Sequence, residues 1–326
     1  MKVLRIVIAL LLTAAMLYIA KRTSRGHPEE FAGTSNGFTL KMTTVPKGQE
    51  LSQARIDVNI AGPVTAEVQP VLRYARSEQG QNLTDLSTYQ TSPLILADST
   101  KGDYFAVVST GPRGQRLDYY FEIRESRGQL LADFKQPDGT PWGLRYIGEV
   151  PKPVLIGHIG FIFATFLGVA LAAMFGIGVI SGSQGVKPMA TFLGLSTLCA
   201  FIGGYPFGFA MNWFAFGGIW EGVPFGTDAT DNKTQLLLVY LLFATLISLG
   251  SLTNRKFGRD VFAPKSLGWF GVGAIIVSLL IYLIPHSIQF SAAVTYSVCY
   301  AFIVFWMLVY LYGFFASRSS AKGSVR

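Results

Sequence analysis

The stretch PVLIGHIGFIFATFLGVALAAMFGIGVI, Pro153–Ile180, decides the architecture. It holds no Asp, Glu, Lys or Arg, and it exceeds the ~20 apolar residues that cross a hydrocarbon core. Four more charge-free runs follow: Met189–Met211, Thr234–Leu252, Ser266–Pro285 and Ser291–Ala316. Upstream, Ile6–Ala20 follows Lys2 and Arg5. It has the form of a signal peptide or an anchor, and its length once Val3 and Leu4 are added favours an anchor over residues 1–20. The composition agrees. The chain is 14% charged and 50% hydrophobic, whereas soluble domains carry about 25% charged residues. A membrane α-helical bundle of about six spans is expected, five of them within residues 153–317.

The net charge of +8 does not point to nucleic acid, because of where the charges fall. With the N-terminus placed inside, the inner segments hold ten basic residues against Asp260, a net of +9, and the outer segments net −1. That Lys/Arg asymmetry is the signal that orients membrane proteins. Both termini are therefore expected in the cytoplasm of a bacterial cell, in the inner membrane, with no nucleic-acid partner. Residues 33–150 and the loop 212–235 are expected on the extracytoplasmic side. Cys199 and Cys299 both fall in spans, so the exported segment cannot rest on disulfides.

Between anchor and bundle the pattern changes. Leu117, Tyr119, Phe121 and Ile123 alternate with polar Asp118, Glu122 and Arg124, the period of a strand with one buried face. Gly128 turns the chain into a partner at Gln129–Phe134. Phe38–Thr44, Arg55–Ile60, Glu67–Tyr74, Leu94–Ala97, Tyr104–Ser109 and Gly143–Val150 read as further strands. About eight short strands in residues 33–150 predict an all-β sandwich, and the spacing from Val71 to Ile123 resembles immunoglobulin-like or fibronectin III-like domains. Such a fold names no function. Two prolines, Pro151 and Pro153, stiffen the linker into the bundle, so the domain is expected close above the loop.

The loop, Asn212–Gln235, is unusually long and rich for a connection between helices. Trp213, Phe214, Phe216 and Trp220 suit a membrane–water interface. The glycines permit tight turns, and Thr230 or Asp231 is expected to cap the helix that follows. Lys233 is a candidate partner for Asp228 or Glu221. Trp213, Phe216, Trp220, Glu221, Asp228, Asp231 and Lys233 form the candidate docking face for a membrane or periplasmic protein partner. Asp228, Asp231 and Asn232 also offer oxygens to a cation, but their spacing fits no calcium loop.

In the second span Gly160, Ala164, Gly168, Ala172 and Gly176 recur every fourth residue, a ridge for close helix packing within the bundle. Gly203, Gly204 and Pro206 predict a kink or break in the third span. No Asp, Glu, Lys or Arg lies inside the last five spans, which disfavours an ion-coupled transporter. No nucleotide-binding loop, zinc-protease motif or nucleophile–base pair is present. His158 and His286 sit at matching depths on two helices. They are a candidate pair of ligands for haem b, or for copper or zinc, against the plainer reading of two hydrogen-bonded interfacial side chains.

Pro224-Phe225-Gly226-Thr227-Asp228, Thr230-Asp231-Asn232-Lys233-Thr234 and Leu283-Ile284-Pro285-His286-Ser287 resemble a family of uncharacterised bacterial polytopic inner-membrane proteins with an exported immunoglobulin-like domain in front. The resemblance supplies no chemistry. It implies that the loop and His286 belong to one recurring unit. The expected function is non-catalytic: an accessory or assembly subunit that presents an extracytoplasmic docking surface and is embedded in membrane lipid. The alternative is a haem- or metal-binding electron-transfer protein using His158 and His286.

Overall fold

The computed structural model describes residues 2–23, 28–63, 68–77, 85–284 and 290–323. The chain divides into two compact units. One is Gly26–Val150 with Asn212–Gly218; the other is Met1–Arg25, Pro151–Met211 and Ile219–Arg326.

Helix α1 is Lys2–Thr23 and belongs to the helical unit. The first unit is a two-sheet sandwich. Its strands are β1 (Glu30–Ser35), β2 (Phe38–Thr43), β3 (Lys47–Gln49), β4 (Gln53–Ala61), β5 (Val68–Ser77), β6 (Gln90–Pro93), β7 (Ile95–Asp98), β8 (Asp103–Ser109), β9 (Arg116–Glu125), β10 (Leu130–Phe134) and β11 (Trp142–Ile147). One sheet runs β1-β2-β4-β8-β7, the other β3-β11-β9-β5-β6, with β10 also on β9. All pairings are antiparallel except β3 with β11. Alternation places Leu40, Ile56, Leu72, Leu117, Tyr119, Phe121, Ile123, Leu144 and Tyr146 in one core between the sheets.

Two expectations change. The structure adds β1, β3 and β6, which the alternation does not announce: β3 has three residues, and β1 and β6 are edge strands with little apolar content. Strand β9 is buried along both faces from Leu117 to Ile123, not along one. Its polar side chains are sheltered in pairs. Asp118 meets Arg116 and accepts from Ser77 Oγ at 3.1 Å. Glu122 meets Arg124 at 2.7 Å and accepts from Tyr120 Oη at 3.1 Å. A buried carboxylate persists when it is hydrogen-bonded and paired.

The helices after α1 are α2 (Lys152–Ile180), α3 (Val186–Gly204), α4 (Pro206–Phe216), α5 (Ala229–Ile247), α6 (Leu249–Leu252), α7 (Pro264–Leu283) and α8 (Ala292–Gly323). Among the described residues four helical segments are long and apolar enough to cross a membrane: Lys152–Ile180, Val186–Phe216, Pro264–Leu283 and Ala292–Ser317. Helices α1 and α5 fall outside that set, α5 because its first turn is polar. Helix α2 packs chiefly on α3 and α7, and its small residues make the approach possible. A Cβ on Gly176 would lie 2.7 Å from the Gly268 carbonyl of α7, and one on Gly168 would strike Ser196 Oγ of α3. Gly160, at the end of the same ridge, faces open space. Thr197 of α3 links to Thr245 of α5 at 2.7 Å, a hydrogen bond between helices. Trp306 packs edge-on to Tyr240 at 4.8 Å, tying α8 to α5.

Candidate functional site

Helix α3 breaks at Tyr205, because Pro206 has no N–H to continue the ladder. The chain resumes as α4, so Trp213, Phe214 and Phe216 are helical and not part of a loop. At the other end α5 begins at Ala229, two or three residues ahead of the start that a cap at Thr230 or Asp231 implies. The irregular segment is therefore residues 217–228, about half the expected loop.

Within that segment Glu221 and Val223 are held by the first turn of α5. The N-cap is Asp228, not Thr230 or Asp231: its Oδ1 accepts from Thr230 N at 2.8 Å and Asp231 N at 2.9 Å. Asp231, one turn on, is buried and reaches back to accept Glu221 N at 2.6 Å. Asn232, also buried, accepts Val223 N through Oδ1 at 2.8 Å. Asp228 N in turn donates to the Glu221 carbonyl at 2.9 Å. Loop and helix thus satisfy each other's backbone donors, which a buried turn requires.

Aromatic packing closes the outer side. Trp220 is half-buried. It stacks on Tyr205 at 5.3 Å and meets Phe209 edge-on at 5.7 Å, so the α3 break is part of its seat. A Cβ on Gly222 would sit 2.9 Å from both Trp220 and Asp231 Cβ, and one on Gly226 would strike the Glu221 carbonyl. Neither position has room for a side chain. Phe225 N and Gly226 N both donate to the Gly222 carbonyl at 2.9 Å, and Tyr296 Oη of α8 donates to the Pro224 carbonyl at 3.3 Å. Phe225 lies in the middle of this fixed turn and is 83% exposed; Ile219 is 55% exposed.

Lys233 is buried, and its Nζ donates to the Ile284 carbonyl at 2.6 Å. Ile284 is the C-cap of α7, and a helix C-terminus is the end that stabilises a cation. The Tyr282 ring lies 6.0 Å from the ammonium.

Trp213 and Phe216 belong to the sandwich unit. The Arg113 guanidinium lies 5.6 Å from the Trp213 ring and that of Arg145 4.0 Å from Phe216, both at cation–π distance. Arg113 Nη1 donates to the Phe214 carbonyl at 3.2 Å, and Gly148 N to Ala215 at 3.0 Å.

His158, on α2, lies 2.9 Å through Nδ1 from the Gly203 carbonyl, in the last turn of α3 where the helix break leaves carbonyls without helical donors. A hydrogen bond to a carbonyl puts a proton on Nδ1, and in the neutral imidazole that leaves Nε2 as an acceptor. His286 lies outside the described residues. Of the oxygens considered for a cation, Asp228 Oδ1, Asp231 Oδ2 and Asn232 Oδ1 each accept backbone N–H groups. Among the described residues no three His, Cys, Asp or Glu side chains converge at metal-binding distance.

Sequence reasoning missed Phe225 and Ile219 as the outward groups and Asn232 as a clasp. The signal for Phe225 was present: an aromatic residue between Pro and Gly, where a turn exposes what it carries. Compared with known proteins, the chain matches no family model and no curated protein.

Proposed function

We propose that this chain is a multi-pass protein of the bacterial cytoplasmic membrane, a non-catalytic accessory or assembly subunit that offers an extracytoplasmic docking surface to a membrane or periplasmic protein. The observation that carries the reading is Phe225: an aromatic side chain 83% exposed at the tip of a turn whose backbone is fixed from beneath by Asp231 and Asn232. Preorganisation of an apolar anchor lowers the ordering cost of binding, and aromatic anchors dominate interface energies. Helices α1 and α5 make up six spans with the four apolar ones, and the excess of basic residues in the inner segments supports cytoplasmic termini. The sheet orders β2-β4-β8-β7 and β11-β9-β5 support an immunoglobulin-like reading, in which they correspond to ABED and GFC. Affinity purification tests the function. Phe225→Ala should lose a protein that wild type retains, with an unchanged unfolding temperature; full retention of every partner contradicts the proposal.

One observation favours a second reading. The His158 tautomer leaves Nε2 available, the arrangement in which a backbone carbonyl orients a metal-ligating imidazole. Haem ligation by His158 and His286 would give a Soret band lost in His158→Ala and in His286→Ala. Protein purified in mild detergent without haem or metal eliminates it.

A further inference from the structure

At one end of the bundle the connection between α6 and α7 is strongly basic. Residues 254–265 contain Arg255, Lys256, Arg259 and Lys265, with Asp260 as the sole acid. That carboxylate is committed: it accepts Ser251 N at 2.8 Å and Ser251 Oγ at 2.6 Å. Arg255, Lys256 and Lys265 are exposed, and between the first two and Gly258 projects Phe257, 79% exposed. An exposed aromatic side chain beside cations suits the headgroup level of a bilayer.

Directly beside this segment is an apolar groove of about 510 Å³ between α7 and α8. Phe262, Ser266 and Phe270 line one side, and Phe305, Leu308 and Tyr312 the other. Its α7 lining includes Ser266, the residue after Lys265. Its α8 end lies beside Arg259, whose Nη2 donates to the Phe314 carbonyl at 3.2 Å and whose guanidinium lies 5.1 Å from the Phe314 ring. The N-cap of α7 is Ala263, which has no side chain to cap the first turn, so the helix dipole adds to the positive field. An apolar groove thus adjoins a basic segment whose only acid is already bonded.

We propose that this groove is a binding site for one anionic phospholipid, an acyl chain lying between Phe270 and Leu308 and the phosphate held at Lys265 and Arg259. Ordinary annular lipid would fill the same surface without regard to headgroup. The built site selects by charge at one end and by shape at the other.

The test uses the full chain in mild detergent, with native mass spectrometry after adding dioleoylphosphatidylglycerol or dioleoylphosphatidylcholine. One retained lipid per chain is expected, with a preference for the glycerol lipid of about twenty-five-fold, since each of the two cations near an anionic headgroup adds about one factor of five. Lys265→Glu should reduce the preference severalfold. Leu308→Trp, which fills the groove, should reduce retention of both lipids. Unfolding temperatures within the wild-type range certify that both variants fold, and Lys265→Ala and Leu308→Phe stand in for either that does not. Equal retention of the two lipids, a preference that survives loss of the Lys265 charge, or retention indifferent to filling the groove would each overturn the proposal.

Discussion

Three neighbouring side chains, Asp228, Asp231 and Asn232, divide one task, and each is expected to fail differently. Asp228 is a simple N-cap. Asp228→Ala should cost about 0.5–2 kcal/mol, and Asp228→Asn or Asp228→Ser should recover most of it, because those side chains cap comparably. Asn232→Ala leaves the buried Val223 N–H without its acceptor, which costs about 1–3 kcal/mol. Its effect on thermal unfolding in detergent should exceed that of Asp228→Ala. The sequence marks this segment as a helix start, yet does not say which acid caps it. Asp228 and Asp231 are three apart, and either fits the pattern. The choice is made by Glu221 N–H, ten residues back from Asp231, a donor that exists only once the turn has formed. Lys233 is similar: its carbonyl partner at Ile284 is far along the chain and carries no sequence signature.

At the scale of elements, small residues in α2 separate into those that touch another helix and those that do not. Gly176→Leu should disrupt folding, since even a Cβ there meets the Gly268 carbonyl of α7; Gly160→Ala, with nothing near it, should be neutral. Size-exclusion profiles and unfolding temperatures of the two variants decide it. The fourfold repeat of small residues made the ridge legible, but not the place where it stops mattering. Apolar helices were legible by length alone, and the α3 break by its glycines and proline. Strand β9 was legible as a strand and misread in burial, because Asp118 and Glu122 look like a solvated face when their partners Arg116 and Arg124 are themselves unremarkable surface residue types. The short edge strands β3 and β6 lack the alternation that a buried face imposes.

In the whole molecule, four helical segments among the described residues are long and apolar enough to cross a membrane, and they accompany a two-sheet sandwich. Orientation rests on the basic excess of the inner segments. A phosphatase fused after Gly139 should be active, and a fluorescent protein fused after Arg326 should fluoresce; the reverse pair would invert the topology. The docking role is tested most directly at Phe225 itself. A photo-crosslinking phenylalanine analogue placed there, in cells expressing the full chain, should give a discrete protein adduct of one size on illumination, while the same analogue at Phe257 should not give that adduct. Absence of any protein adduct from position 225, with only lipid or solvent products, would contradict the account.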